Sequence, residues 1–161
     1  MRGWPPAVER VAAFLADAGA EARLEELPAG TPTARAAAKA IGCELEQIVK
    51  SLVFDCDGRA VVVLVPGDRR ADGVKIAAAL GARRARVAPP DQVEQATGFP
   101  PGAVAPFPLP LVDRVLMERL LLAQEVVWVG AGSDRHMAGL APSELRRLAR
   151  ADALDAVHAG A

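Results

Sequence analysis

The sequence predicts an α+β fold: a mixed, largely antiparallel β-sheet with surrounding helices. Two observations carry this. Apolar runs of strand length alternate irregularly with helix-period segments, and two strands join through Asp57-Gly58, the strongest short hairpin signal. At 161 residues, with 52% hydrophobic residues, the chain is read as one domain over 1–161 that buries a core without disulfide staples.

The elements follow in order. Pro5-Pro6 opens a helix whose stripe is Val8, Val11, Ala12, Leu15 and Ala18, with Gly19 as its stop. Ala20 to Leu27 is a short strand with Ala22, Leu24 and Leu27 inward, and Pro28 to Pro32 is a loop. Thr33 occupies an N-cap position before the alanine-rich helix Ala34 to Ile41, closed by Gly42. Gln47 to Phe54 is a strand of branched and aromatic residues with Lys50 in its middle. By parity Ile48, Lys50, Leu52 and Phe54 share one face, and Val49, Ser51 and Val53 the other. After the hairpin and the second strand, Ala60 to Val65, Pro66-Gly67-Asp68 breaks the chain. Val74 to Leu80 is a helix, Ala85 to Ala88 a short strand and Gln92 to Ala96 a helix capped by Pro89-Pro90-Asp91. Leu109 to Val112 reads as a strand, Arg114 to Leu121 as a helix and Glu125 to Val129 as a buried strand. A turn at Gly130 to Asp134, a return strand His136 to Leu140 and a helix from Pro142 to Arg150 complete the fold, with a frayed tail.

Composition narrows the function classes. The net charge of −1 gives no global sign of nucleic-acid binding, so any RNA contact is local, and DNA binding is not expected. Cys43 and Cys56 make neither a metal quartet nor a disulfide framework and read as core thiols of a cytoplasmic protein. The apolar run Val11 to Ala16 is too short for a membrane span. His136 and His158 lack partners at ligand spacing, and no metal or cofactor is expected. Phe54-Asp55-Cys56-Asp57-Gly58 has the outline of a phosphatase aspartate loop, but a second strand follows at once, and turn chemistry accounts for it. Gly130-Ala131-Gly132 lacks the remainder of a dinucleotide fingerprint. No nucleophile elbow or triad is present.

Three features remain. Lys50 is one of only three lysines, beside Lys39 and Lys75, and it places an ammonium where desolvation is costly. It either snorkels from the core edge or points into a cleft toward a polar or anionic ligand. Gly102-Ala103-Val104-Ala105-Pro106 has the form Gly-x-x-x-Pro behind Pro100-Pro101, which suits recognition through backbone groups. The Gly130 to His136 turn ends a buried strand beside Ser, Asp, Arg and His.

Together these stretches resemble the YbaK/prolyl-tRNA synthetase-associated editing family, in its free-standing form. The resemblance rests on Thr33 to Ala38 with Ile41-Gly42, Ile48 to Val53, Thr97-Gly98-Phe99 with Gly102 to Pro106, and Gly130 to Leu145. It implies hydrolysis of the ester of a mischarged aminoacyl-tRNA, without metal or cofactor. By that analogy Lys50 holds the terminal adenosine, and the Gly102 loop, with Ala103, Val104 and Pro106, positions the carbonyl and the attacking water. Leu27, Thr33, Val53, Gly130, Gly132 and His136 shape the acyl pocket. Cysteinyl-tRNA-type members carry a second glycine at Ala103, and a serine and an aspartate where this chain has Gly130 and Met137. The resemblance therefore implies a substrate with a small residue (Ala, Ser, Thr or 2-aminobutyrate) on tRNA(Pro). Expected partners are the tRNA acceptor end and prolyl-tRNA synthetase. The alternative is a non-catalytic module binding aminoacyl-tRNA or a nucleotide-like ligand.

Overall fold

A computed structural model describes residues 3–28 and 33–159. The order is α1 (Pro6–Asp17), β1 (Ala22–Glu26), α2 (Ala34–Ile41), β2 (Val49–Cys56), β3 (Arg59–Pro66), α3 (Gly73–Leu80) and β4 (Arg86–Val87). Then come α4 (Pro90–Thr97), β5 (Arg114–Glu118), β6 (Val127–Ser133), β7 (His136–Leu140), α5 (Pro142–Ala149) and β8 (Ala151–Leu154). The class is α+β as expected, with the strands divided between two sheets. One is antiparallel, in the order β1-β7-β6; the other, β4-β2-β3-β5-β8, is antiparallel across β4, β2 and β3 and parallel across β3, β5 and β8.

The predicted hairpin is present in full register from Val49↔Pro66 to Cys56↔Arg59. Asp57 (φ 54°) and Gly58 (φ 89°) both take the left-handed conformation, the requirement of a two-residue turn matching the strand twist. β3 is buried on both faces. Val62 and Leu64 face the main core against β6, β7 and α1, whereas Val61, Val63 and Val65 pack with Phe54, Leu116 and Ile76 of α3 on the other side. All five are fully buried, each burial contributing about 1.5–3 kcal/mol before entropy is charged against it. A third cluster joins α2 to β7 through Leu27, Ala37, Ala38, Ile48, Trp128 and Met137. Cys56 is buried, and Cys43 packs half-buried on this third cluster.

Four readings are corrected. Arg114–Glu118 is a strand, not a helix, and only Arg119–Ala123 winds into a short 3-10 turn. The run Val115-Leu116-Met117 contacts cores on both faces, so it lacks the alternation that marks a half-buried strand. Leu109 to Val112 is turn rather than strand. The strand entering the last hairpin extends through Ser133, with a register shift between Gly130 and Ser133, so the turn falls at Asp134-Arg135. The tail does not fray through residue 159: β8 pairs with β5, and Ala156 and Val157 are buried. Distant side chains hold it, Glu118 accepting the Ala156 amide at 2.7 Å and Lys75 Nζ donating to the Val157 carbonyl at 2.7 Å. No described helix is long and apolar enough to cross a membrane.

Candidate functional site

The site forms where β2 and β6 part. Just before β2, Ile48 forms an isolated parallel bridge to Trp128 of β6, and β2 and β6 belong to different sheets beyond it. The gap is a cavity of about 290 Å³ whose wall includes Thr33, Lys50, Ser51, Gly102, Val104, Gly130, Ser133 and His136. Ala37, Ile48 and Met137 give it an apolar floor continuous with the third core cluster.

Each wall has a local cause. Thr33 caps α2, its hydroxyl accepting the Ala36 amide at 3.0 Å, and Gly42 ends the helix in the left-handed conformation. The Gly102 segment is fixed at both ends by fully buried rings, Phe99 and Phe107. Phe99 is held by Thr97, whose hydroxyl accepts the Phe99 amide at 3.1 Å, and by the Arg10 guanidinium 4.5 Å above the ring. Gly102 has φ +82° and open space around its missing Cβ, so its role here is conformational. Gly130 is different: a Cβ there would lie 2.9 Å from the Val104 carbonyl oxygen, so this glycine lets two backbones close one side of the cavity.

Lys50 is half-buried between Leu52, on the second core cluster, and Ile48, on the third. Its Nζ donates to the Arg69 carbonyl at 2.7 Å, so this lysine both lines the cavity and ties down the turn after β3. Burial lowers its pKa from the ordinary 10.5, Asp68 opposes that shift and Arg70 adds to it. His136 is 4% exposed; its Nδ1 is 2.6 Å from Ser133 Oγ, which also accepts the Arg135 amide at 3.0 Å. Trp4 meets the imidazole edge-on at 5.3 Å, while Nε2 is buried with no hydrogen-bond partner among the described residues. Desolvation lowers the His136 pKa from 6.5, which favours the neutral ring. The Ser-His contact is no triad, because no carboxylate orients Nε2. Among the described residues no group of three His, Cys, Asp or Glu could hold a metal ion.

Of the sequence-predicted residues, Lys50, Gly102, Thr33, Val104, Gly130 and His136 meet in the cavity. The other five lie outside its wall. Leu27 packs behind it, its amide on the Arg135 carbonyl, and Val53 belongs to the main core. Ala103 is buried beside Gly102, Gly132 abuts Ala7 of α1, and Pro106 borders a separate cleft of about 620 Å³ with Phe14, Phe107 and Arg147. Sequence reasoning missed Ser51, although it is a polar side chain between Val49 and Val53 on their shared face, and it left Ser133 unassigned within the turn.

The cavity is thus framed by a strand lysine, the Gly102–Val104 stretch and a small-residue β-hairpin. Residues 28–148 match the model of the aminoacyl-tRNA editing domain, and the chain belongs to that family. It is 38% identical over 120 residues to a proline–tRNA ligase of Nitratidesulfovibrio vulgaris, a match covering 73% of this chain and only 21% of the ligase. It is 33% identical over 121 residues to the uncharacterized protein YwhH of Bacillus subtilis, covering 74% of this chain and 76% of that one. A crystal structure of a candidate trans-editing enzyme for prolyl-tRNA synthetase superposes with a TM-score of 0.89 at 34% identity, over 97% of this chain and 99% of the other.

Proposed function

We propose that the chain is a single-domain, cytoplasmic trans-editing deacylase. It hydrolyses the ester joining a small non-cognate residue, Ala, Ser, Thr or 2-aminobutyrate, to tRNA(Pro). The observation that carries this is the convergence of Lys50, Thr33, Gly102, Gly130 and His136 on one small cavity in a chain of the editing family. Its volume of about 290 Å³ is at the lower limit of ordinary ligand pockets, which suits an acyl group with part of a ribose.

In this reading the Lys50 ammonium holds phosphate or ribose oxygens of the terminal adenosine. The Gly102–Val104 backbone, facing Gly130, positions the ester carbonyl and a water, and the neighbouring ribose hydroxyl assists. No side chain is acylated. The rate enhancement comes from placement and fixed dipoles, which preorganised sites supply in large measure. Thr33 and His136 bound the acyl pocket, so larger residues are excluded by shape. One methylene is worth only ~1–3 kcal/mol of discrimination, so several small residues are accepted. With a net charge of −1 the protein grips the acceptor end rather than the whole tRNA, and prolyl-tRNA synthetase is the partner that supplies tRNA identity.

The test is single-turnover hydrolysis of tRNA(Pro) charged separately with Ala, Ser, Thr, Cys, 2-aminobutyrate and Pro. Hydrolysis of a small non-proline ester is expected, with a loss of 100-fold or more in Lys50→Ala. Because Lys50 also anchors the Arg69 turn, Tm is measured alongside, and a folded but inactive Lys50→Ala is the expected result. Binding without hydrolysis of any ester would replace this reading by that of a binding module.

A further inference from the structure

Ser51 is the residue of this cavity that nothing yet accounts for. Its hydroxyl oxygen is buried and has no hydrogen-bond partner among the described residues. A buried hydroxyl left unpaired costs roughly 1–3 kcal/mol, and such groups in native proteins call for an explanation. This one lines the same cavity as the unpartnered Nε2 of His136.

The backbone of Ser51 adds a second donor. Cys56 and Arg59 flank a two-residue turn, so alternate residues 56, 54, 52 and 50 exchange hydrogen bonds with β3, and the odd-numbered residues between them face the opposite edge. Two contacts agree with this parity: the Ile48 carbonyl accepts the Gly67 amide on the β3 side, and the Val53 carbonyl accepts the Ala88 amide on the other. That outer edge is occupied at both ends, by Trp128 of β6 at Ile48 and by β4 at Phe54 and Asp55. Ser51 falls in the interval between these contacts, its N–H on the outer edge where the cavity begins.

We propose that Ser51 is a catalytic residue that receives the carbonyl oxygen of the scissile ester through its hydroxyl and its edge amide. The assignment rests on the deacylase reading above. Water adds to the carbonyl carbon, and the former carbonyl oxygen carries the negative charge of the tetrahedral intermediate between the Ser51 Oγ–H and N–H donors. The carbon–oxygen bond to the ribose then breaks, the ribose oxygen takes one proton of the added water, the second passes to solvent, and the free amino acid leaves as its carboxylate. Donors already in place before reaction act where charge develops, and thus on kcat more than on KM.

The experiment compares wild type, Ser51→Ala and Ser51→Cys in single-turnover deacylation of the small-residue tRNA(Pro) esters over a range of enzyme concentrations, with Tm recorded for each. Ser51→Ala is expected to lower the maximal rate at least tenfold, with the half-saturating concentration changed less than threefold and Tm unchanged or raised, since an unpaired buried hydroxyl has been removed. Ser51→Cys, of similar size and a weaker donor, falls between the two. An active wild type matched by Ser51→Ala overturns this assignment alone. So does a Ser51→Ala loss confined to the half-saturating concentration, or one accompanied by a fall in Tm that Ser51→Cys reverses together with full activity. A wild type inactive on every ester overturns the deacylase reading, and this assignment with it.

Discussion

Replacing Gly130 by alanine tests whether the cavity works by backbone placement. The new Cβ would lie 2.9 Å from the Val104 carbonyl oxygen, and ordinary contact begins near 3.4 Å, so the two walls must separate by about 0.5 Å. Gly130 does not have a positive φ, so the backbone tolerates alanine and the cost is steric. Overpacking of this kind costs ~1–3 kcal/mol. In a domain of this size that lowers Tm by roughly 2–12 °C. A misplacement of 1 Å at a reacting centre costs on the order of 100-fold, so half that shift should cost roughly tenfold in the deacylation rate. The control is Gly132→Ala, whose Cβ would meet the Ala7 carbonyl carbon and oxygen at 2.9 Å but lies outside the cavity wall. It should lower Tm at least as much, with turnover at permissive temperature nearly unchanged. Equal rates for wild type and Gly130→Ala, with Tm lowered as calculated, would refute the claim that the Val104 segment positions the substrate.

Two stability predictions follow from buried polar groups. The folded-state pKa of His136 is lowered by burial, with Arg135 adding to the shift and Glu26 and Asp134 opposing it, so the unfolded chain binds the proton more readily. The stabilisation it contributes is therefore complete above pH 6.5 and is lost as pH falls through the folded-state value; Tm should decline on acidification from pH 7.5 to 5, with a shallower slope in His136→Asn. Glu118, 1% exposed, accepts the amides of Leu120 and Ala156 at 2.8 and 2.7 Å. Glu118→Ala leaves the Ala156 amide unpaired and should destabilise by about 1–3 kcal/mol in urea unfolding, with early loss of amide-exchange protection in β8.

The sequence was most legible where chemistry is local. Thr33 with Gly42, Asp57-Gly58, and Pro90 with Gly98 mark their elements by caps and turns, and each stands where expected. Lys50, Gly102 and His136 were visible as exceptions to their surroundings: a charge in an apolar strand, a glycine among prolines, a histidine at a hairpin. Arg114–Glu118 was misread because a central strand in parallel pairing carries no period to read. The tail was misread because its partners, Glu118 and Lys75, are 38 and 82 residues away from the atoms they hold. Ser51 escaped notice because strand parity sets it on the face opposite Lys50. That both belong to one cavity depends on an edge that β4 and β6 leave uncovered, and only the sheet order reveals it.

The parting of β2 and β6 also bears on how such a pocket diversifies. Much of its wall is main chain: the Ser51 edge, the Gly102–Val104 segment and Gly130. Alanine scanning, which changes side chains, barely samples such a wall and will under-report it. The side chains that do project, Thr33, Met137 and His136 among them, stand on two different elements, α2 and β7, across from those peptide groups. Under the deacylase reading, a lineage would alter which acyl group it accepts by a few point substitutions while the main-chain frame stays the same. Deep mutational scanning should show the two functions separating, with tolerance at Met137 and near-complete intolerance at Gly130.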